Sequence, residues 1–208
     1  MRGVERIPWL YDLGMALTER WGLLRWRRWL AAGAAGRTLD LGTGTGRNLP
    51  LVPPGARPVG VDAHLDSLLR ARRRAPGVPL VAARAEALPF RDGAFETVLS
   101  GLVLCSVDDP AAALAEVRRV LAPRGALRLL EHVRARGLRG AVQDAIQPAW
   151  TWFTGGCHPN RETERAVEAA GFRADAATRR ARGTMRRLEA TVRADAAGEA
   201  PAGAPRAR

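Results

Sequence analysis

Residues 38–48 read TLDLGTGTGRN, and three glycines at alternate positions allow a ligand to approach the backbone closely. Gly42, Gly44 and Gly46 follow an apolar run, and such loops often hold phosphate groups. The dinucleotide pattern G-x-G-x-x-G needs a further glycine where Arg47 stands. A P-loop needs Gly-Lys before Ser or Thr, and the chain contains no lysine. The loop therefore matches neither phosphate-binding pattern.

An acid follows this loop at a distance that suits a nucleoside. Asp62 ends the apolar run VGVD, about twenty residues beyond the glycines. A carboxylate at the end of a strand can accept hydrogen bonds from ribose hydroxyls. The pattern D-x-G-x-G-x-G with this acid resembles motif I and the acidic motif of the class I S-adenosylmethionine-dependent methyltransferases. In this family the glycines admit an uncharged nucleoside and its methionine moiety.

The resemblance covers about residues 37–133, where LPF, FETV and RVLAPRG follow in the family's order. Glu96 and Arg124 replace the usual Asp and the first glycine of the turn, and both changes are mild. It implies S-adenosyl-L-methionine as the cofactor and S-adenosyl-L-homocysteine as the product. The cofactor-binding residues then fall at Asp40, Gly42, Thr43, Gly44, Gly46, Asn48, Asp62, Ala63, Ala85, Glu86, Ser100 and Gly101.

One departure from the family concerns the adenine. Many members have Asp where Arg84 stands, and there it contacts the adenine amino group. Ala85, through its backbone, and Glu86 would have to frame the adenine instead.

Residues 143–163, QDAIQPAWTWFTGGCHPNRET, read with LCSV and LEHV, resemble a narrower subgroup. It includes thiol S-methyltransferases and bacterial proteins likened to phosphatidylethanolamine N-methyltransferases. The resemblance implies a small apolar or lipid-like acceptor, with thiol sulfur favoured. A phospholipid amine and a quinone precursor or phenol are the alternatives. The predicted acceptor pocket comprises Tyr11, Leu104, Cys105, Trp150 and Cys157.

Two histidines are candidate catalytic residues, and no metal is predicted. His158 or His132 could accept a proton or orient the nucleophile. A loop histidine that only binds backbone groups is the alternative for His158. Cys157 and His158 are adjacent, and adjacent side chains in a loop seldom bind one ion. Cys105 and Cys157 lie far apart in sequence, which predicts no disulfide and a reduced, cytoplasmic compartment.

All six tryptophans lie in two segments outside the apolar runs. An aromatic lid suits an apolar acceptor or contact with lipid, and simple attachment of the segments to the core is the alternative. RWRRWL, at residues 25–30, has the composition of an interfacial helix, so peripheral membrane contact stays open. The two groups are Trp9, Trp21, Trp26 and Trp29 near the start, and Trp150 and Trp152 later.

The net charge is +12, and all 33 basic residues are arginine. Such a charge suits nucleic acid, anionic lipid or an acidic substrate, and a biased codon pool is the alternative explanation. SGLVLCSV lacks an aromatic clamp for a flipped base, so nucleic acid is not favoured as a partner. A basic RNA- or membrane-binding protein with a vestigial cofactor fold is the competing hypothesis. The chain is expected to be a monomer or homodimer.

Apolar runs alternate with helical patterns from residue 38 onward, which predicts βαβ units and a mostly parallel sheet. With the family resemblance, this implies a Rossmann-like, doubly wound α/β fold with seven strands and helices on both faces. Gly22 should split the N-terminal helical pattern, and Asn160 should cap a later helix. The predicted parts are an N-terminal helical lid (1–36), a methyltransferase domain (37–195) and a disordered tail (196–208).

Overall fold

The computed structural model describes residues 8–193, apart from the side chains of Pro8, Leu10 and Tyr11. The predicted tail lies outside these residues. The helices are α1 (Pro8–Thr18), α2 (Leu24–Ala32), α3 (Leu65–Arg74), α4 (Pro110–Val120), α5 (Leu138–Thr154) and α6 (Thr163–Ala169). The strands are β1 (Arg37–Leu41), β2 (Arg57–Asp62), β3 (Leu80–Ala82), β4 (Phe95–Gly101), β5 (Leu121–His132), β6 (Phe172–Ala174), β7 (Arg180–Arg182) and β8 (Met185–Val192).

The strands form one mixed sheet. Within residues 8–193 its order is β3-β2-β1-β4-β5-β8-β6, with the short β7 paired to β8. Strands β1 to β5 run parallel, whereas β8 pairs antiparallel with β5, β6 and β7. The predicted Rossmann-like, mostly parallel sheet is confirmed, and its seven strands correspond to the main path.

Both faces of the central strands are buried, which explains why they read as continuous apolar runs. Val98 of β4 and Leu129 of β5 join the larger core, which α4 and α6 cover. Their neighbours Leu99 and Leu130 point to the opposite face and pack with Leu30 of α2. This alternation follows from the two-residue period of a strand.

The N-terminal helices lie over that second face. Gly22 has a φ of +117° inside a short π-helical turn, Glu19–Leu23, so the predicted break between two helices is present. Two tryptophans of α2 pack beneath arginines of the sheet. The guanidinium carbon of Arg128 lies 4.1 Å from the ring centroid of Trp29, and that of Arg187 lies 5.4 Å from that of Trp26. These two tryptophans therefore attach the segment to the core.

One predicted helix cap is wrong. Helix α6 begins at Thr163, with Glu162 at the preceding position, rather than directly after Asn160. The side-chain amide of Asn160 instead donates a hydrogen bond to Asp144 of α5 at 3.1 Å. Helix α4, by contrast, has a side-chain cap, because Asp109 accepts hydrogen bonds from the backbone N–H groups of Ala111 and Ala112.

Candidate active site

A cleft opens at the carboxyl ends of β1, β2 and β4, where the strand order reverses between β1 and β4. The loops that leave these two strands run to opposite sides and leave a crevice between them, which is where parallel sheets bind ligands. The lining residues are Gly42, Gly44, Thr45, Val61, Asp62, Ala63, His64, Ser67, Ala83, Arg84, Ala85, Glu86, Leu102, Val103, Ser106, Val107 and Asp108.

Asp62 and the glycine loop meet in this cleft. Asp62 Oδ2 accepts a hydrogen bond from the backbone N–H of Gly44 at 2.8 Å. Its Oδ1 accepts one from the backbone N–H of His64 at 2.9 Å and lies 3.2 Å from that residue's Nδ1. Gly42 has a φ of +56°, and a Cβ there would lie 2.6 Å from a methyl carbon of Val103. Only glycine therefore allows the loop to pack against the segment after β4.

Behind the glycine loop, a buried polar cluster fixes the loop's shape. Asp40 accepts hydrogen bonds from Thr43 Oγ1 at 2.5 Å and from Asn48 Nδ2 at 2.9 Å. Burial raises the pKa of Asp40, and these two hydrogen bonds oppose the rise. Asn48 Oδ1 accepts a hydrogen bond from the buried Arg27 at 2.8 Å, which links the loop to α2. Gly46 packs directly against α3.

At the far edge of the cleft, Arg84 bridges two acids. Its guanidinium lies 2.7 Å from Asp108 and 3.2 Å from Glu86. The Glu86 carboxylate also accepts hydrogen bonds from the backbone N–H groups of Asp108 and Asp109 at 3.1 and 3.3 Å. The hydrogen bond from Arg84 lowers the pKa of Asp108. Arg84 thus ties the segment after β3 to the segment before α4.

The chain turns sharply where β4 ends. Leu102 has a φ of +65°, which is rare for a residue with a side chain and marks a strained position. Its backbone N–H donates to the carbonyl oxygen of Leu130 at 2.7 Å. Gly101, just before it, lies so close to Leu30 and Asn48 that a Cβ would be 3.0 and 3.1 Å from their side chains.

A buried carboxylate holds the rest of this turn. Glu131 accepts hydrogen bonds from Ser100 Oγ at 2.8 Å and from the backbone N–H groups of Val103, Leu104 and Cys105 at 3.0, 3.1 and 3.3 Å. Burial raises the pKa of Glu131, while the hydrogen bonds lower it. The carboxylate thereby positions the backbone that forms one wall of the cleft.

Helix α1 is tied to the glycine loop by ionic contacts. Asp12 accepts hydrogen bonds from Thr45 Oγ1 at 2.7 Å, from Arg47 at 2.9 Å and from Arg74 at 3.0 Å. Glu19 accepts a hydrogen bond from Arg47 Nε at 2.8 Å. Burial alone would raise the pKa of both acids, but Thr45 and arginines lower that of Asp12, and arginines alone lower that of Glu19. These contacts hold the N-terminal segment against the glycine loop.

A second cluster lies at the ends of β4 and β5, beside α5. The side chains of Cys105, His132 and Cys157 bring one ligand atom each to within 4.8 Å of the others. A hydrogen bond with Cys105 lowers the pKa of Cys157, assisted by His132, and the same bond raises the pKa of Cys105. His158 Nδ1 lies 2.8 Å from the carbonyl oxygen of Gly156, as the alternative interpretation of this histidine requires.

The predicted site residues fall into two groups. Half of the predicted cofactor residues line the cleft: Gly42, Gly44, Asp62, Ala63, Ala85 and Glu86. The others form the layer behind it: Asp40, Thr43, Gly46, Asn48, Ser100 and Gly101. Neither His132 nor His158 is among the lining residues, and their catalytic roles stay predictions.

The structure brings together only some of the residues predicted for the acceptor pocket. Cys105 and Cys157 lie together, and Trp150 of α5 is close enough to Cys157 to help lower the pKa of its thiol. Leu104 is buried in the core, and the side chain of Tyr11 lies outside the described residues. His64 was missed in the sequence, although its position two residues after the acid at a strand end was a usable signal.

The segment from β1 into β5 matches a known domain. Residues 39–129 match the family model described as a methyltransferase domain. Residues 39–129 thus form a methyltransferase domain. The thiol S-methyltransferase TMT1B of Homo sapiens is 36% identical over 151 residues, which are 67% of this chain and 62% of the relative.

Other methyltransferase relatives carry different names. The ubiquinone/menaquinone biosynthesis C-methyltransferase UbiE of Desulfotalea psychrophila is 42% identical over 136 residues, 59% of this chain and 55% of that protein. A solved S-adenosylmethionine-dependent methyltransferase from Thermotoga maritima shares the fold, with a TM-score of 0.64, 23% identity, and coverage of 88% of this chain and 98% of that one. The chain spans about three fifths of the length of the curated thiol methyltransferases it matches.

The cofactor of this family is S-adenosyl-L-methionine, and the cleft fits it. A Cβ on Gly44 would meet nothing closer than the Gly42 carbonyl oxygen at 3.9 Å, so the backbone there is open to a ligand. A carboxylate has about four acceptor sites, so the backbone donors on Asp62 leave room for hydroxyl groups. Beyond Asp62 the cleft is lined by the short side chains of Ala83 and Ala85, which leave space for a planar base.

Proposed function

We propose that this protein transfers a methyl group from S-adenosyl-L-methionine to a small apolar or lipid-like acceptor, with thiol sulfur as the first choice. The observation that carries the proposal is the pairing of Asp62 with the Gly44 backbone N–H at 2.8 Å, inside a cleft at the sheet's switch point. The proposed working unit is the domain of residues 37–195 under a lid of residues 1–36, as a monomer or homodimer.

The chain's own residues would hold the cofactor in a definite orientation. Asp62 would accept hydrogen bonds from the ribose hydroxyls, and the segment Ala83–Glu86 would contact the adenine. The glycine loop and the turn after β4 would face the methionine moiety, with Asp40, Asn48 and Ser100 fixing these loops from behind. When bound, the cofactor supplies a methyl group on a sulfonium, which needs no further activation. The protein's main contribution is then to place the acceptor in line with that methyl.

A thiol acceptor suits the polarity of the cleft. His64 supplies the imidazole among the described lining residues, and its Nδ1 lies 3.2 Å from Asp62. The segment after β4 contributes the apolar side chains Leu102, Val103 and Val107 beside the polar Ser106 and Asp108. A thiol with a pKa near ~8.5 is partly ionised at neutral pH and needs the least help from a base. The names of the human relatives favour the same acceptor class. A phospholipid amine and a quinone-precursor or phenol carbon or oxygen are the alternatives, and UbiE supports the latter.

We also propose peripheral contact with an anionic lipid surface, in a cytoplasmic setting. Helix α5 exposes apolar side chains at helical spacing, and no helix within residues 8–193 is long and apolar enough to cross a bilayer. Arg136 and Arg139 are exposed at the start of this helix, and the chain carries a net charge of +12, which complements anionic headgroups. The exposed apolar face consists of Leu138, Val142, Ile146, Trp150 and Phe153.

The test compares wild type with Asp62→Ala and the matched control Asp66→Ala, an exposed acid on α3. Calorimetry would measure S-adenosyl-L-methionine binding, and release of S-adenosyl-L-homocysteine would measure turnover. The acceptors are alkyl and aryl thiols, phosphatidylethanolamine vesicles, catechols and bulk tRNA. We expect Asp62→Ala to bind the cofactor at least about tenfold more weakly, because the two hydrogen bonds from the ribose hydroxyls to the Asp62 carboxylate are lost. Asp66→Ala should bind as wild type does.

Each outcome separates the hypotheses. Turnover on thiols supports the proposal, whereas turnover confined to another acceptor replaces thiol sulfur with that group. Cofactor binding that survives Asp62→Ala would contradict the assignment of the cleft. Salt-sensitive tRNA binding without turnover, unaffected by Asp62→Ala, would favour the RNA-binding hypothesis.

A further inference from the structure

Three potential metal ligands from distant parts of the sequence lie together at the ends of β4 and β5, beside α5. Cys105 follows β4, His132 ends β5 and Cys157 follows α5. Their ligand atoms all lie within 4.8 Å of one another, and Cys157 Sγ is 3.7 Å from His132 Nδ1. Both thiols are buried, with exposed fractions of 1% and 5%. We propose that Cys105, His132 and Cys157 bind one zinc ion.

The geometry suits a tetrahedral ion. Zinc bonds thiolate sulfur at about 2.3 Å and imidazole nitrogen at about 2.0–2.1 Å, so two ligand atoms of one tetrahedral ion stand about 3.5–3.8 Å apart. The distance of 3.7 Å between Cys157 and His132 already falls in this interval. The remaining separations are at most 4.8 Å, so they exceed this interval by no more than about 1 Å. Thiolate and imidazole are also the ligands that zinc prefers.

The backbone around each ligand is fixed by other hydrogen bonds. The carbonyl oxygen of Cys105 accepts from the backbone N–H of His158 at 2.7 Å, and its own N–H donates to Glu131 at 3.3 Å. The carbonyl oxygen of Cys157 accepts from Thr151 Oγ1 at 2.9 Å. His132 lies within the β5–β8 ladder. A site whose ligands are positioned before the ion arrives needs little reorganisation to bind it.

Three protein ligands leave one position of a tetrahedral ion for a non-protein ligand such as water. This differs from the sequence-based prediction of no metal, which considered only the neighbours Cys157 and His158 with His132. Fifty-one residues lie between Cys105 and Cys157, so no short spacing in the sequence indicated the pair. The proposal does not depend on the identity of the acceptor, because its readout is the bound ion.

The test uses the full chain, reduced with a phosphine and freed of metal by dialysis, then titrated with zinc. We expect about one zinc per chain by elemental analysis, retained on a desalting column. Cys157→Ser and His132→Ala should each lower the affinity for zinc at least about a hundredfold, because each removes one of the three side chains that would bond the ion directly. The matched control is His64→Ala, which removes an imidazole from the cofactor cleft and should keep the zinc.

Cobalt addition to wild type gives a second readout that needs no variant. Thiolate-to-cobalt charge-transfer absorption with tetrahedral ligand-field bands would support the site. No zinc uptake by the reduced wild type, or undiminished uptake by both ligand variants, would overturn the proposal. The proposal would also be overturned if the protein forms a Cys105–Cys157 disulfide, is reduced to the free thiols, and then still binds no metal.

Discussion

At the scale of single residues, Glu131 is the side chain on which the cleft wall most depends. It is 1% exposed and accepts four hydrogen bonds, three of them from the backbone of residues 103–105. In Glu131→Gln an amide NH2 would replace one acceptor oxygen and face a buried N–H group. We expect the free energy of unfolding to fall by about 2–3 kcal/mol, because a buried donor would lose its partner. Urea denaturation at pH 7 measures this change.

The control for this prediction is Glu168→Gln, which makes the same chemical change on an exposed position of α6. It should alter the free energy of unfolding by less than about 0.5 kcal/mol. Equal stability of the two variants would mean that the turn after β4 does not rely on the Glu131 carboxylate.

Local patterns predicted some of these residues and not others. Gly42 and Asp62 were found because a glycine loop and a strand-end acid have a fixed spacing along the chain. The cluster of Cys105, His132 and Cys157 was not found, because tertiary folding alone brings its members together. The bridge from Arg84 to Asp108 was missed for the same reason.

At the scale of elements, α5 shows that an apolar pattern in the sequence does not reveal whether the apolar side of a helix is buried or exposed. No helical pattern stands out in this segment, which contains Gly137, Gly140 and Pro148. The structure has a helix of 17 residues whose buried positions include Gly140 and Gln143, while its apolar stripe is exposed. The strands were easier, because residues buried on both faces give uninterrupted apolar runs.

The exposed stripe of α5 leads to a prediction about lipid binding. In Ile146→Glu a charge enters the middle of the stripe, and we expect at least about tenfold weaker binding to phosphatidylglycerol-containing vesicles, because apolar contact is lost and repulsion is added. Cosedimentation measures the bound fraction. Ala141→Glu is the control, since it adds the same charge to an exposed position about a third of a turn from the middle of the stripe. Unchanged binding of Ile146→Glu would exclude α5 as the contact.

At the scale of the whole molecule, the arginine excess is partly used in pairing. Arg119 binds Asp92 and Glu116, and Arg47 binds Asp12 and Glu19. Pairing of this kind lowers the pKa of six acids: Asp12, Glu19, Glu96, Asp108, Glu116 and Asp144. The pKa of Glu96 falls to about 2, chiefly through its hydrogen bonds with Arg37. The composition could not reveal this, since it counts charges without placing them.

These pKa shifts predict how stability changes with pH. A carboxyl whose pKa is lowered in the folded state stabilises the fold above its ordinary pKa, and this contribution is lost as the pH falls through the lowered value. Asp40 and Glu131, whose pKa values are raised, act in the opposite direction, but they are fewer. We therefore expect the free energy of unfolding to decline between about pH 5 and pH 2.

Charge repulsion should add to this decline, and salt separates the two causes. At pH 7 the 21 acids offset part of the charge of 33 arginines, and acid removes that offset across the whole chain. Urea denaturation at pH 7 and pH 3, in low salt and in about 0.5 M salt, would measure both effects. We expect salt to restore part of the stability lost at pH 3, because it screens the long-range repulsion but not the protonation of close pairs. A free energy of unfolding that is equal at the two pH values would contradict the role assigned to these ion pairs.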